Sequence, residues 1–376
     1  AQVTKQGYVF VFNRETGEPL FPVKETPVPR SDIPGEESWP TQPIPEKPAP
    51  YARQMLTEHD INPYAENRLE LLDQLKQSRS EGPFTPLTQT GAIIFPGLDG
   101  GAEWGGAAAD PDGIIYINSN EMAWRISLGR DSAKKNDNMS PGQSIYVANC
   151  TTCHGANRKG NPASGYPSLV DIASRRKKEA ASTIISHGKG RMPGFPKFTE
   201  DEKKALVAFL FNDEKAGPVA PKSKGIEDQG KNDTTVSYSI SGYTKFLDKN
   251  GFPAISPPWG TLNAIDLNTG EYVWKIPFGE IDGLTGRGPD AHGAESYGGP
   301  VITSSGLLFI AGTKDQYLRV YDKTNGRLLW QTQLPAAAFA TPATYEVKGK
   351  QYIVMACGGT KLGAKGGDSY VAFALP

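Results

Sequence analysis

Residues 262–274 read LNAIDLNTGEYVW, and residues 318–330 read LRVYDKTNGRLLW. Each is an apolar run, an Asp, a polar turn closed by glycine, and a second run ending in Trp. Alternation over four to six residues around a Gly turn is the pattern of a half-buried β-hairpin. A third, weaker copy stands at 8–20, YVFVFNRETGEPL, with Gly17 as its turn glycine. Gly270 and Gly326 lie 56 residues apart, a fitting length for one four-stranded blade with its loops. Further strand-like runs fall at 113–118 (GIIYIN), 306–311 (GLLFIA) and 351–356 (QYIVMA). An ordinary β-sandwich is the plainer alternative, but a hairpin repeated at blade spacing favours a propeller.

Around this repeat the composition narrows the function. The chain has 376 residues, 40 Lys+Arg against 41 Asp+Glu, and a hydrophobic share of 38%. No stretch approaches the ~20 apolar residues of a membrane-spanning helix. The near-zero net charge argues against a nucleic-acid partner, which calls for a basic domain or stripe. Three cysteines are too few for a disulfide framework. Residues 1–7 (AQVTKQG) show no basic-then-apolar leader.

Two segments break the β pattern. Residues 27–50 hold eight prolines and predict an extended surface excursion, leading into a short helix at 67–78. From about 131 to 218 the period becomes helical: 141–149 (PGQSIYVAN) and 200–212 (EDEKKALVAFLFN) carry apolar residues three and four apart. Thr199 with Glu202 forms a capping box for the second helix. Residues 215–232 read as a linker back to β structure. The expected organisation is thus β blades over 1–130, a helical module over 131–218 inserted between blades, and a linker with further blades over 219–376.

The module contains Cys150-Thr-Thr-Cys153-His154. Two thiols separated by two residues can reach both vinyl groups of a haem, and the adjacent imidazole then lies beneath the iron; C-x-x-C-H is the c-type attachment signal. A redox dithiol would need a βαβ context, and half a zinc site would need a second Cys/His pair that His59, His187 and His292 do not supply. For the sixth position the spacing points to Met192, 38 residues after His154 in a loop between two predicted helices. A thioether there raises the reduction potential. His187 and Met139 are rivals, and a packing role is the alternative for Met192. This layout resembles a class I cytochrome c. The basic run 175–178 reads as solvated surface, with docking of an acidic redox partner as the alternative.

Outside the module the chain resembles the quinoprotein glucose and aldose dehydrogenases, related to membrane glucose dehydrogenase. The carrying stretches are 4–17 (TKQGYVFVFNRETG), 39–43 (WPTQP), 101–111 (GAEWGGAAADP), 257–266 (PPWGTLNAID), 317–330 and the tail 358–375. The resemblance implies a mainly β chain: the C-terminal portion of an eight-bladed propeller that holds pyrroloquinoline quinone, with an inserted cytochrome c-like domain. It implies that Lys5 donates to the quinone oxygens, that Glu103 and Trp104 line the cofactor pocket, and that Asn120 contacts the cofactor, the alignment through 118–120 being ambiguous by one or two positions. Trp259 packs near the quinone or locks blades; Trp274 and Trp330 are read as blade locks. His292 faces the pocket mouth or is an ordinary loop histidine, and Cys357 is read as a buried strand thiol.

By the same resemblance, the substrate is an aldose or another alcohol, and electrons pass through haem c to an external cytochrome or quinone. Export to the periplasm follows from covalent haem attachment. The family's catalytic base and calcium ligands have no match in this sequence, and the residues outside the module suffice for about four or five blades. The N-terminal part of the same propeller is therefore an expected partner. A haem carrier on a β scaffold without quinone, and more weakly a sugar-binding propeller, are the rival readings.

Overall fold

The structure, a computed structural model, describes residues 1–131, 139–155, 157–160, 166–190, 192–213, 237–284, 287–288, 290–359 and 361–374. The chain forms two compact units, Ala1–Ile126 with Thr244–Pro376, and Ser127–Tyr243. The linker expected at 215–232 lies outside the described residues.

In the first unit, Ala108–Ala109, Ile114–Asn120, Gly260–Asp266 and Glu271–Pro277 form a four-stranded antiparallel meander. Val301–Ile302, Leu307–Ile310, Tyr317–Asp322 and Leu328–Gln333 form a second, and Ala343–Val347, Lys350–Gly358 and Asp368–Ala374 a three-stranded sheet. Both repeat hairpins are therefore present. At the N-terminus Gln2–Val3 pairs with Val9–Phe10, and Phe12 bridges Pro19. The proline-rich excursion is a ribbon of Val23–Pro27 on Thr41–Pro45, followed by the helix Arg68–Lys76.

One expectation needs correction. Ile114–Asn120 precedes the module and Gly260–Asp266 follows it, yet the two strands pair directly. The insertion therefore lies inside one sheet, between its second and third strands, rather than between blades. Both runs carry the same alternation, and alternation does not say which run is a strand's neighbour.

Apolar side chains fill the spaces between successive sheets. Tyr116, Leu262, Ala264 and Trp274 of the first meander share a core cluster with Leu308, Ile310 and Tyr321 of the second. Leu318 of the second joins Ile353, Met355 and Cys357 of the third. Trp274 donates its indole N–H to the Lys323 carbonyl at 2.9 Å, and Lys323 Nζ reaches Asp110 at 2.8 Å. Two bonds at Lys323 thus tie the first meander to the second. Trp330 crosses to Phe373 edge-on at 5.7 Å. Trp274 and Trp330 both lock neighbouring sheets, as the sequence suggested.

The second unit holds the helices Pro141–Asn149, Thr151–His154, Lys178–His187 and Glu200–Leu210. Ser140 caps the first, its Oγ accepting the Gln143 N–H at 3.0 Å. The Thr199 box closes as expected: its hydroxyl accepts from Glu202 N at 3.2 Å, and the Glu202 carboxylate accepts from Thr199 N at 2.8 Å. Tyr146, Ile172, Ile185, Leu206, Val207 and Leu210 form the core. A ribbon of Leu128–Asp131 on Ser237–Ile240 joins the two ends of this unit.

Two outcomes test the sheet locks. Trp274→Ala should cost about 3–5 kcal/mol by chemical denaturation, and Trp330→Ala clearly less, because Trp330 is already 46% exposed. Burial alone would raise the Asp110 pKa, but the Lys323 ammonium, the Ile114 amide and the Tyr116 hydroxyl outweigh it and hold it below the usual value. A depressed carboxyl stabilises the fold at neutral pH and loses that contribution as pH falls below the ordinary value of ~3.9. Asp110→Asn should remove this acid-dependent component from the stability–pH curve.

Candidate functional site

In the helical unit, Cys150 ends the helix Pro141–Asn149, and Cys153 and His154 lie on the one-turn helix Thr151–His154. The two cysteines are not disulfide-bonded. His154 is 7% exposed, and its Nδ1 lies 3.0 Å from the Pro167 carbonyl. A carbonyl only accepts, so Nδ1 carries the proton and Nε2 keeps its lone pair, the arrangement of a metal-ligating imidazole. Burial, opposed by the Pro167 bond, lowers the pKa and favours this neutral ring.

Burial, and secondarily the Cys153 charge, pushes the Cys150 thiol up to about 12. Redox dithiols work with a depressed thiol pKa, so the environment of Cys150 disfavours that alternative. Met192 packs against the same core cluster as Cys150. Its loop is closed by paired backbone hydrogen bonds between Lys189 and Met192 at 3.0 and 3.1 Å. His187 is exposed, and its Nδ1 bonds back to the Thr183 carbonyl at 3.1 Å. Met139 is half-buried just before the helix Pro141–Asn149. The exposed run Arg175, Arg176, Lys177 is followed by Lys178, which pairs with Asp213. Cys150, Cys153, His154 and Met192 are donors of the kinds that could hold a haem.

In the β unit, Lys5 sits in the turn between Gln2–Val3 and Val9–Phe10. Three consecutive carbonyls of that turn are bound from two segments: Thr4 by the Tyr51 hydroxyl, Lys5 by Gly101 N at 2.7 Å, and Gln6 by Gln54 Nε2 at 2.6 Å. The backbone is pinned while the side chain is exposed. Lys5 Nζ donates to the Leu98 carbonyl at 2.9 Å, and an ammonium has three N–H donors. Lys5 and Gln6 line a cleft with Gly82, Phe84, Phe95 and Leu98.

Asn120 ends its strand beside this turn. Its N–H donates to the Gly101 carbonyl at 2.8 Å and its Oδ1 accepts from Ser296 N at 2.7 Å. It is 2% exposed, and its Nδ2 has no hydrogen-bond partner. An exposed ammonium and a partnerless buried amide N–H suit a group rich in carbonyl and carboxylate oxygens, which is the chemistry of pyrroloquinoline quinone. Glu103 is half-buried, and Trp104 is 62% exposed.

Trp259 is placed differently: it is fully buried among Leu56, Ile61, Phe246 and Ile255, with its indole N–H on the Ile255 carbonyl at 2.6 Å. It offers no surface to a cofactor and serves packing. His292 pairs with Glu280 at 3.2 Å, and Cys357 is buried in its strand. Among the described residues no three His, Cys, Asp or Glu side chains gather as a metal site.

The structure adds polar residues that sequence reading missed. Tyr297, fully buried, donates to Asp99 at 2.9 Å. Burial, then the charges of Glu295, Asp99 and Glu103, raises its pKa and keeps the hydroxyl protonated. Lys245 and Glu295 form a buried pair at 2.6 Å. The only sequence signal for Tyr297 was its place in the glycine-rich loop that also carries His292.

A family model described as the glucose/ethanol/alcohol dehydrogenase β-propeller domain matches residues 1–166 and 198–353. The chain belongs to this quinoprotein dehydrogenase family. A second model, described as subunit III of cbb3-type cytochrome c oxidase, matches residues 137–210 and marks the helical unit as cytochrome c-like. The quinoprotein glucose dehydrogenase of Escherichia coli is 32% identical over 99% of this chain and 38% of its own length. A probable quinate dehydrogenase (quinone) of Xanthomonas campestris pv. juglandis is 30% identical, with the same shares covered. The glycerol dehydrogenase large subunit of Gluconobacter thailandicus is 28% identical over 99% of this chain and 42% of its own length. The chain thus spans about two fifths of the length of these relatives.

In this quinoprotein propeller the loop after Trp104 meets the loop that carries Tyr297 in close backbone contact. A Cβ on Gly105 would lie 2.3 Å from both Gly299 N and the Tyr297 carbonyl. Gly105→Ala should therefore separate the two loops and cost about 1–3 kcal/mol, read as a lowered denaturation midpoint.

Proposed function

We propose that the full protein is a quinohaemoprotein oxidoreductase that oxidises an aldose, or another sugar or alcohol, at a C–OH carbon. When bound, the quinone supplies the two-electron acceptor and the haem supplies a one-electron exit. Lys5 would hold the quinone oxygens by its exposed ammonium, stabilising negative charge there. Asn120 would satisfy its Nδ2 on the same group, and Glu103 and Trp104 stand in the adjoining segment. Cys150 and Cys153 would attach the haem by thioethers, and His154 Nε2 and Met192 would hold its iron. Calcium, its ligands, the catalytic base and the rest of the propeller are assigned to the N-terminal part of the same protein. An external cytochrome or quinone takes the electrons. A covalently attached haem would go with export, to the periplasm or otherwise outside the cytoplasm.

What carries the reading is the pairing, in one chain, of a quinoprotein propeller with a C-x-x-C-H imidazole already held as an Nε2 donor by Pro167.

The test uses the full-length protein. With pyrroloquinoline quinone, calcium and glucose, quinate or glycerol, the haem band should reduce only when quinone and a substrate are both present. Quinone-independent behaviour would make it a haem carrier on a β scaffold. Lys5→Ala should lower the rate of haem reduction by about 10²–10³. Met192→Ala should leave the thioether-linked haem attached and lower its reduction potential.

A further inference from the structure

We infer that Tyr297 is a positioning residue that aims Lys5 at its ligand through Asp99 and the Leu98 carbonyl. The inference rests on the reading of Lys5 given above. The acceptor of the Lys5 ammonium is the Leu98 carbonyl, at 2.9 Å. Leu98 and Asp99 are the two central residues of a turn closed by Gly100 N on the Gly97 carbonyl at 2.8 Å. The Leu98 carbonyl thus belongs to the turn's central peptide, the group that reverses when a type I turn becomes type II. Reversal would require positive φ at Asp99, and Asp99 is not among the positive-φ residues. The flip would swing the Leu98 oxygen away from Lys5.

Tyr297 holds the side chain of that same Asp99, its hydroxyl donating at 2.9 Å. It is itself held firmly. Its ring is fully buried and meets Phe339 edge-on at 6.0 Å, and its N–H donates to the Gly312 carbonyl at 3.1 Å. Ser296, immediately before it, donates to Asn120 Oδ1 at 2.7 Å. The loop that carries Tyr297 therefore also fixes the Oδ1 of Asn120. On the far side, the turn closes over Lys5, where a Cβ on Gly100 would come within 2.7 Å of the lysine side chain. Tyr297 never touches the ligand. It selects the turn orientation that leaves the ammonium pointed.

The experiment is a mutant cycle in the full-length holoenzyme, reading quinone affinity by reconstitution titration and sugar-dependent haem reduction. Tyr297→Phe keeps the ring and removes only the hydroxyl. It should weaken quinone binding and lower kcat about five- to tenfold, the scale of one hydrogen bond, with KM for the sugar unchanged. In a Lys5→Ala background the same substitution should change neither quantity by more than about twofold, because its effect runs through Lys5. Asp99→Asn, which keeps an acceptor, should stay near wild type, whereas Asp99→Leu should match Tyr297→Phe. Equal losses from Tyr297→Phe with and without Lys5 would overturn the positioning role and leave the reading of Lys5 intact. So would an unchanged quinone affinity in both Tyr297→Phe and Asp99→Leu. If Lys5→Ala alone leaves quinone binding and turnover untouched, both ideas fail together.

Discussion

The β unit depends on one pairing across a long interruption: Gly260–Asp266 against Ile114–Asn120, in register from Gly260–Asn120 to Asp266–Ile114. The residues between these strands include the whole cytochrome-like unit. Closing a loop of that length costs on the order of 4 kcal/mol in chain entropy before any strand contact compensates. The structure offsets this in steps. Leu128–Asp131 pairs with Ser237–Ile240, and Trp124 bridges Lys245, so further pairings flank the central strands on the side of the insertion. Inside the pairing, the fully buried Asn263 donates to the Ile117 carbonyl at 3.0 Å. A slip of one residue would turn Leu262 and Ala264 out of the core and carry Asn120 away from Gly101.

How much of this was legible follows from the range of the interactions. The two hairpins at 262–274 and 318–330 are local, since alternation and a turn glycine suffice, and both stand as expected. The capping box at Thr199 is equally local. The placement of the module within a blade was not legible, because nothing in 113–118 or 260–266 marks one as the other's partner. The same distinction divides the tryptophans. Trp274 and Trp330 end hairpin strands, where a lock is their usual role, and there they lock. Trp259 ends a loop, and only tertiary packing puts its ring in the core. Asp99, Tyr297 and Glu295 escaped notice because their meaning lies in mutual distance, which neither spacing nor composition encodes.

Two lysines of the β unit show how environment assigns a role. Lys245 is 4% exposed and pairs with Glu295 through both carboxylate oxygens, at 2.6 and 2.7 Å, with Trp124 beneath it. Its charge is spent internally, as a buried ion must be if it is to remain charged. Lys5 has an exposed side chain and a neutral carbonyl as its acceptor. A carbonyl orients an ammonium without neutralising it, so the positive field stays available to whatever approaches. From sequence alone the two residues are indistinguishable.

The cytochrome-like unit applies the same logic with a different donor. A histidine offered to iron must be neutral, and its lone pair must be on the nitrogen that faces the metal. Burial supplies the first condition at His154, since a charged ring at 7% exposure would lose its hydration. The Pro167 carbonyl supplies the second by taking the Nδ1 proton. Cys150, a few residues away, is kept a neutral thiol by the same burial. A site built for thiol redox chemistry would have placed a positive charge or a helix N-terminus beside that sulfur. At Cys150 burial, and then the Cys153 charge, raises the thiol pKa instead. The local electrostatics therefore disfavour thiolate redox chemistry at Cys150 and leave His154 a neutral imidazole with a free Nε2 lone pair.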